Sequence, residues 1–214
     1  MRPKDFFDSN PKDLEEVVRV VRQGFGRNTD FQDIYNHVTT PENVYLLRNG
    51  DIKAMASYSR ATLSGFDSLI VEGIVMLPEI QGKGLFKEIT KHVADSEAVI
   101  GLRTQTPMMY GALLSYCHDV YPNCDKMPAA IKAVRDDFAK HLGCEIDDRG
   151  VIRGHYGGLF YGKEPCHKEY DLLFKKYLGM DLNKGDAVLL IGTGLGKSIP
   201  RMTSEDHDSA MCLI

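Results

Sequence analysis

The sequence predicts an α/β (α+β) fold in which helices flank a mixed central β-sheet. Three features favour it: a hairpin signal at Asn49-Gly50, an apolar strand over 68–77, and a glycine-rich turn leading from that strand into an amphipathic helix. Strands that alternate with helices in this way form sheets covered by helices. With 214 residues, 43% of them hydrophobic, the chain can build a domain with its own core.

The first sixty residues predict an edge strand, two helices and a hairpin. Residues 3–7 are expected to form the short strand. Asn10 and Pro11 then cap a helix over 11–24, whose apolar stripe consists of Leu14, Val17, Val18, Val21 and Phe25. A second, shorter helix is expected over 30–37. The apolar runs of 44–59 meet at Asn49-Gly50, which suits the positive φ angles of a type I′ turn.

The middle of the chain alternates between strands and helices. Residues 68–77 predict a buried strand ending at Pro78. From Leu85 the apolar positions Leu85, Phe86, Ile89 and Val93 follow a helical period. Residues 98–104 predict another strand, and Pro107 opens a helix expected to run to Cys117.

The C-terminal part predicts helices over 128–142 and 170–178, a bent strand or a pair of loops over 151–161, and a strand over 186–192. We expect one domain over 1–195, in which 122–184 is an insertion. The strands at Val120-Tyr121 and 187–191 should then lie side by side in the sheet. Residues 196–214 predict a polar, flexible tail.

Composition narrows the classes of function. A net charge of −4 argues against nucleic-acid binding, and no apolar run approaches the roughly 20 residues that a membrane helix needs. No leader peptide is expected at the start of the chain. The five cysteines are scattered, so a cytoplasmic protein is expected. No metal site and no membrane partner are expected, and a homodimer is left open.

Two C-terminal patterns are rejected as motifs. The glycine loop before Lys197 and Ser198 resembles a P-loop, but the position of its first glycine holds Ile191. Cys212 stands third from the end, where prenylation needs the fourth.

The turn after the buried strand carries the chemistry. Glycines let backbone N–H groups approach a pyrophosphate, and the start of a helix adds partial positive charge. Gln81, Gly82, Lys83 and Gly84 match motif A of the GNAT N-acetyltransferase superfamily, and the chain resembles that family over about 14–121 in its order of elements. Phe86 departs from the pattern, because the family usually has glycine or alanine there.

This resemblance implies a splayed sheet, acetyl-CoA as co-substrate, and direct transfer of the acetyl group to an amine-bearing acceptor in a ternary complex. The strand end would pair with the pantetheine arm and the loop would hold the pyrophosphate. The implied cofactor-binding residues are Ile74, Val75, Met76, Gln81, Gly82, Lys83, Gly84, Leu85, Phe86 and Thr106. Thr106 stands where many members have asparagine before a proline.

The resemblance also points to catalytic candidates. Glu72 is a carboxylate inside an apolar strand, where the family often places a glutamate that relays the amine proton; a solvated strand residue is the alternative. The family's proton-donating tyrosine position holds Leu113. Tyr110 and Tyr116 lie one turn to either side, so either could take this role, and Tyr116 is slightly preferred of the two. Amphipathic packing is the alternative for both.

The acceptor side is less determined. His155, Tyr156 and Tyr161, in the predicted insertion, are candidates for acceptor contacts, with structural roles as the alternative. An inactive acyl-CoA-binding module is the second hypothesis, because the family tyrosine is missing. An RNA- or protein-binding domain with an accidental glycine turn is the third.

Overall fold

The computed structural model describes residues 1–94 and 97–195, and the backbone of 210–213. The chain packs into two compact units. The first comprises Met1–Ser59, Val71–Ile89 and the described part of Ser198–Ile214; the second comprises Arg60–Ile70 and Thr90–Lys197. The single domain predicted over 1–195 stays a prediction. Of the rejected glycine loop, residues 196–198 lie outside the described residues.

Six α-helices and eight strands are formed by the described residues. The helices are α1 (Pro3–Ser9), α2 (Pro11–Phe25), α3 (Phe31–Thr39), α4 (Leu85–Val93), α5 (Pro107–Leu114) and α6 (Ala129–His141). The strands are β1 (Asn43–Asn49), β2 (Asp51–Leu63), β3 (Phe66–Met76), β4 (Val99–Thr104), β5 (Cys117–Tyr121), β6 (Val151–Ile152), β7 (Ala187–Leu195) and β8 (Ala210–Leu213). None of the described helices is long and apolar enough to cross a membrane.

The strands form one mixed sheet in the order β5-β7-β4-β3-β2-β1-β8, with β6 paired to β7. β1 and β2 form the predicted hairpin around Gly50, whose φ is 69°. β7 is antiparallel to both β4 and β5. The predicted neighbours, 187–191 and Val120-Tyr121, therefore do pair, although 65 residues lie between β5 and β7.

The first unit has a core in which α1, α2 and α3 pack on the strands. Phe7, Val17, Val38, Leu46 and Val75 belong to it and are almost fully buried. Gly24 marks the closest approach of α2 to β3: a Cβ there would collide with Val75 and lie 2.6 Å from the carbonyl oxygen of Met76. Only a glycine allows this contact.

The second unit has its own core, between α6 and the strands β4 and β7. Val99, Val134, Phe138, Leu189 and Ile191 are among its buried members. The Cβ of a larger residue at position 101 would lie 3.0 Å from the ring of Phe138, so Gly101 lets α6 lie close to the sheet.

Three predicted elements are wrong or shorter than expected. Residues 3–7 begin α1 rather than a strand, because Pro3 and Phe7, four residues apart, bury the same helical face. The helix opened by Pro107 ends at Leu114, and Cys117 instead begins β5. Residues 151–161 contribute only the short β6 followed by turns.

Two C-terminal elements differ from the expected form. The helix predicted over 170–178 contains a π-helical turn, Leu173–Tyr177, with Leu173 and Phe174 buried. Within the predicted tail, Ala210–Leu213 form β8, which pairs antiparallel with β1. β8 covers the backbone groups that β1 would otherwise expose as a sheet edge.

Candidate functional site

The loop between β3 and α4 contains the predicted glycine motif. A 3₁₀ turn at Pro78–Ile80 leads to Gly82 and Gly84, whose φ angles of 75° and 77° are in the left-handed region. Gln81, Gly82, Lys83 and Gly84 are exposed, and a Cβ at either glycine would meet nothing within 4 Å. The loop therefore presents its backbone to open space.

The backbone N–H groups from Gly82 to Lys87 have no hydrogen-bond acceptor among the described residues. The next amide along the chain, that of Glu88, does have an acceptor and donates to the carbonyl of Gly84 at 3.3 Å. The start of a helix always leaves amides unpaired, and these amides carry the positive end of the helix dipole. Such a run of free donors on an exposed loop is suited to a negatively charged group.

Gln81 acts on the loop itself. Its side-chain amide donates to the carbonyl of Met76 at 2.9 Å and more weakly to that of Gly24 at 3.4 Å. Gln81 thus ties the loop to the end of β3 and to the end of α2. One backbone group that was expected to meet pantetheine, the Met76 carbonyl, is already engaged by this bond.

Phe86, the departure from the family pattern, is buried with 6% exposure, and Leu85 is half-buried. Their side chains pack inward while their amides remain in the unpaired run. The bulky residue at this position is thus compatible with an amide run that has no acceptor among the described residues.

Glu72 lies on β3, the strand that leads into this loop. It is half-buried and has no hydrogen-bond or ion-pair partner among the described residues. Strand alternation places it on the same face as Ile74 and Met76, which are also half-buried. Val75 points the other way, into the core formed with α1, α2 and α3.

The two candidate tyrosines lie in the second unit, and their surroundings differ. Tyr110 is on α5, and its hydroxyl donates to the carbonyl of Val120 at 3.3 Å. Its ring lies 5.0 Å from that of Tyr170, and burial raises the pKa of Tyr110 to about 12. Tyr110 therefore has packing and hydrogen-bonding partners in the second unit, and its catalytic role stays a prediction.

Tyr116 follows the end of α5 rather than lying on it. It is 4% exposed, and its hydroxyl has no partner among the described side chains and carbonyls. Burial, with smaller effects from Cys117 and Glu97, raises the pKa of Tyr116. A tyrosine with a raised pKa keeps its proton, as a general acid must before it reacts. Leu113, at the family's tyrosine position, is fully buried.

Thr106 caps the start of α5. Its hydroxyl accepts from the amide of Met108 at 3.3 Å, and its own amide donates to the hydroxyl of Thr104 at 3.0 Å. Thr106 is almost fully buried, so in this structure its side chain acts as a helix cap. Its cofactor-binding role stays a prediction.

His155, Tyr156 and Tyr161 belong to one chain of aromatic rings in the second unit. The ring of His155 lies 4.6 Å from that of Tyr156, which is 4.6 Å from Phe160, and Phe160 is 5.2 Å from Tyr161. Burial raises the pKa of both tyrosines. The charge of Arg103 partly offsets this rise at Tyr156, and a hydrogen bond with Thr104 partly offsets it at Tyr161.

Gln105, which was not predicted from the sequence, holds this aromatic segment in place. Gln105 is fully buried; its amide nitrogen donates to the carbonyls of Gly158 and Leu182, and its oxygen accepts from the amide of Phe160 at 2.9 Å. A polar residue directly after an apolar strand was the only signal. Gly24 was also missed, because its partners are remote in sequence.

No protein-family model and no curated protein matches the sequence. Among solved structures, it is similar to the ribosomal-protein-S18-alanine N-acetyltransferase from Escherichia coli, with 13% identity over 90% of this chain and 94% of the other and a TM-score of 0.42. It is also similar to NAA60 from Arabidopsis thaliana (12% identity, 88% and 96% coverage, TM-score 0.40). A third similar structure is the GNAT-like decarboxylase GphF in complex with isobutyryl-CoA, with 16% identity over 86% of this chain and 96% of the other and a TM-score of 0.42.

The order of elements decides the fold. The resemblance implied a hairpin, a buried strand, a glycine loop, a helix, a strand and a helix, followed by two neighbouring strands, and each is present in this order. The fold is GNAT-like. Similarities as distant as those above say nothing about activity, so a function has to be argued from the chain's own residues.

Proposed function

We propose that the chain is an acetyl-CoA-dependent N-acyltransferase of the GNAT type. The observation that carries this proposal is the run of backbone amides from Gly82 to Lys87, which lack a described acceptor at the exposed start of α4. A pyrophosphate offers the negatively charged oxygens that such amides bind. Lys83, exposed within the loop, adds a positive charge.

Glu72 is the proposed base. It lies on the strand that leads into the loop, half-buried and without a described partner, so its carboxylate is available to a substrate. The amine loses a proton to Glu72 through water, and its nitrogen then attacks the thioester carbonyl carbon. The carbon–nitrogen bond forms as the carbon–sulfur bond breaks. No covalent enzyme intermediate is required, since positioning supplies much of the rate.

The departing sulfur takes up a proton from a donor, and the proton that the attacking nitrogen loses as the amide forms restores that donor. Tyr116 is the preferred donor, because its hydroxyl has no described partner, whereas that of Tyr110 donates to Val120. The acceptor class and the acetyl preference remain part of the proposal, as do His155, Tyr156 and Tyr161 as acceptor contacts.

An inactive acyl-CoA-binding module is the second candidate. It is favoured by Leu113, a fully buried apolar residue at the family's tyrosine position. Such a module would use the same loop for CoA and leave Glu72 without a reaction to catalyse.

Two measurements on the purified chain separate these functions. At a hundredfold excess over Kd a ligand stabilises by about 2.7 kcal/mol, which in a chain of this size raises the Tm by roughly 5–10 °C. We expect that shift with CoA and acetyl-CoA, and CoA release when a panel of amines is added. A rise in Tm with CoA, but no release of CoA with any of the amines, would favour the inactive module. Absence of the shift would exclude both.

A further inference from the structure

The turn after α2 contains a buried hydroxyl that no described residue engages. The Oγ1 atom of Thr29 is shielded from solvent and has no hydrogen-bond partner, and among the described residues it is the one buried side-chain nitrogen or oxygen of which this is true. Buried polar atoms are almost always hydrogen-bonded, because an unpaired one has lost its contact with water and gained nothing in exchange. The hydroxyl of Thr29 is therefore placed to bond to something other than the described residues.

Arg22, in the last turn of α2, holds this turn in place. Its Nε donates to the carbonyl oxygen of Thr29 at 3.1 Å, so the guanidinium lies beside the residue with the unpaired hydroxyl. The amides of Gly26 and Arg27 donate back to the carbonyl of Arg22, the latter at 3.2 Å. The backbone and the side chain of Arg22 thus both bind the turn, which fixes its guanidinium relative to Thr29.

The outer donors of Arg22 have no described acceptor. A guanidinium carries several N–H donors in one plane, and the Nε–H of Arg22 is the one that Thr29 accepts. Among the described residues its Nη groups meet no acceptor and no carboxylate pairs with it, although Arg22 is half-buried. Arg48, another half-buried arginine of the first unit, instead lies 2.6 Å from a carboxylate oxygen of Asp13. Guanidinium donors without an acceptor beside an unpaired hydroxyl are suited to a negatively charged oxygen group.

This pair of residues is attached to the glycine loop, within the first unit. Gly24 follows Arg22 in the same turn of α2 and lies so close to β3 that a Cβ on it would be 2.6 Å from the carbonyl oxygen of Met76. The side-chain amide of Gln81 donates to the carbonyl of Gly24 at 3.4 Å, and the run of unpaired amides begins at the next residue, Gly82. A molecule bound at the loop therefore has the end of α2 as its neighbour.

We propose that Arg22 and the hydroxyl of Thr29 form an anion site, which binds a phosphate or carboxylate group beside the glycine loop. The Nη groups of the guanidinium donate to two oxygens of such a group, and the hydroxyl donates to one of them. Two molecules of the proposed reaction can carry it: CoA, through a phosphate, or the acceptor amine, through an acid group. Its assignment to either molecule rests on the proposed acyltransferase function, whereas the anion site does not.

Two substitutions at Thr29 separate binding from folding. Thr29→Val keeps the branched shape and the carbonyl that Arg22 binds, but removes the hydroxyl. Because that hydroxyl has no described partner, the free energy of unfolding should stay the same or rise in this variant. Thr29→Ser keeps the hydroxyl and should retain the anion site. A clear loss of stability in Thr29→Val, measured by denaturation, together with unchanged binding of inorganic phosphate, would make the hydroxyl structural and overturn the proposal.

Inorganic phosphate tests the site without turnover. Compared with chloride at equal ionic strength, phosphate should raise the Tm of the wild-type chain more than that of Arg22→Met or Thr29→Val. The amides of the glycine loop are also suited to phosphate, so a smaller rise rather than its complete loss is expected. Arg2→Met, which removes a side chain that is 89% exposed, is the control and should behave as the wild type. Equal rises in all four chains would refute the site.

CoA and matched amines identify the molecule that carries the oxyanion. If it is CoA, Arg22→Met should raise the Kd for CoA by about tenfold or more. If it is the acceptor, the Kd for CoA should stay the same, while KM should rise about tenfold or more for 4-aminobutyrate but not for butylamine. Arg22→Lys should recover part of either loss. No change in either constant would overturn the proposal for both molecules. A phosphate effect that depends on Arg22 in a chain whose Tm CoA does not raise would refute the acyltransferase and leave the anion site standing.

Discussion

The side-chain amide of Gln81 donates a hydrogen bond to the carbonyl of Met76 across 2.9 Å. This bond joins the glycine loop to the strand that precedes it, so Gln81 holds the loop against the end of β3. It also explains why a residue able to donate is needed at this position, since the partner is a carbonyl.

Gln81→Glu should therefore weaken CoA binding more than its charge alone would. A carboxylate cannot donate a hydrogen bond to the Met76 carbonyl, so the loop is no longer held against β3. CoA binding must then order the loop, which lowers the affinity. We expect a tenfold or larger rise in Kd, on the order of 1.4 kcal/mol, measured by calorimetry. Gln81→Met, neutral and of similar length, should show a comparable loss; full affinity in this variant would show that the attachment is unimportant.

Gly84 tests the pyrophosphate assignment. Its φ of 77° is tolerated by asparagine and aspartate better than by other residues, and the two have nearly the same size. Gly84→Asp should abolish the CoA-induced rise in Tm, because a carboxylate repels phosphate oxygens at the free amides. Gly84→Asn should keep a substantial part of it. Equal behaviour of the two variants would contradict a charge effect at this site.

Glu72→Gln should lower turnover while leaving CoA affinity nearly unchanged, because the proposed carboxylate acts on the amine. Removal of a general base typically costs about 10²–10⁴-fold in rate. The loss should shrink at high pH, where the acceptor amine is already deprotonated. Glu15→Gln, which changes an exposed glutamate of α2, is the matched control. Full activity of Glu72→Gln at neutral pH would make Glu72 a solvated strand residue.

Tyr110 and Tyr116 can be separated by paired phenylalanine substitutions. Tyr110→Phe loses the bond to Val120 and should destabilise the chain by about 1 kcal/mol, whereas Tyr116→Phe should lower turnover with little effect on stability. Denaturation and CoA-release assays measure the two effects. A turnover loss confined to Tyr110→Phe would reverse the assignment.

The pKa of Tyr110 adds a pH dependence to the same pair of variants. Burial raises it from 10.0 to about 12, so the folded chain holds a proton that the unfolded chain releases. The contribution of Tyr110 to the free energy of unfolding is fully present below pH 10 and is lost as the pH rises from 10 to 12. In Tyr110→Phe the free energy of unfolding should fall less steeply between about pH 10 and 12 than in the wild type. An unchanged slope would show that Tyr110 is ionised normally.

Local patterns predicted most of the elements because their causes are local. The positive φ of Gly50 and the apolar stripe of α2 were both predicted from neighbouring residues. The helix at 3–9 was misread because Pro3 and Phe7 bury a face that is defined only by the core they join. Likewise, α5 stops at Leu114 because Cys117 is taken up by β5.

The sequence by itself determined the glycine loop, its strand and its helix, and so the place where an acyl-CoA could bind, because backbone conformation there depends on adjacent residues. Tertiary structure decided how individual polar groups are used. It engages Gln81 with Met76, Tyr110 with Val120 and Gln105 with Phe160, while Glu72 and Arg22 lack carboxylate or cation partners among the described residues. Whether a donor or a charge is satisfied depends on residues distant along the chain, which only the packed fold brings near.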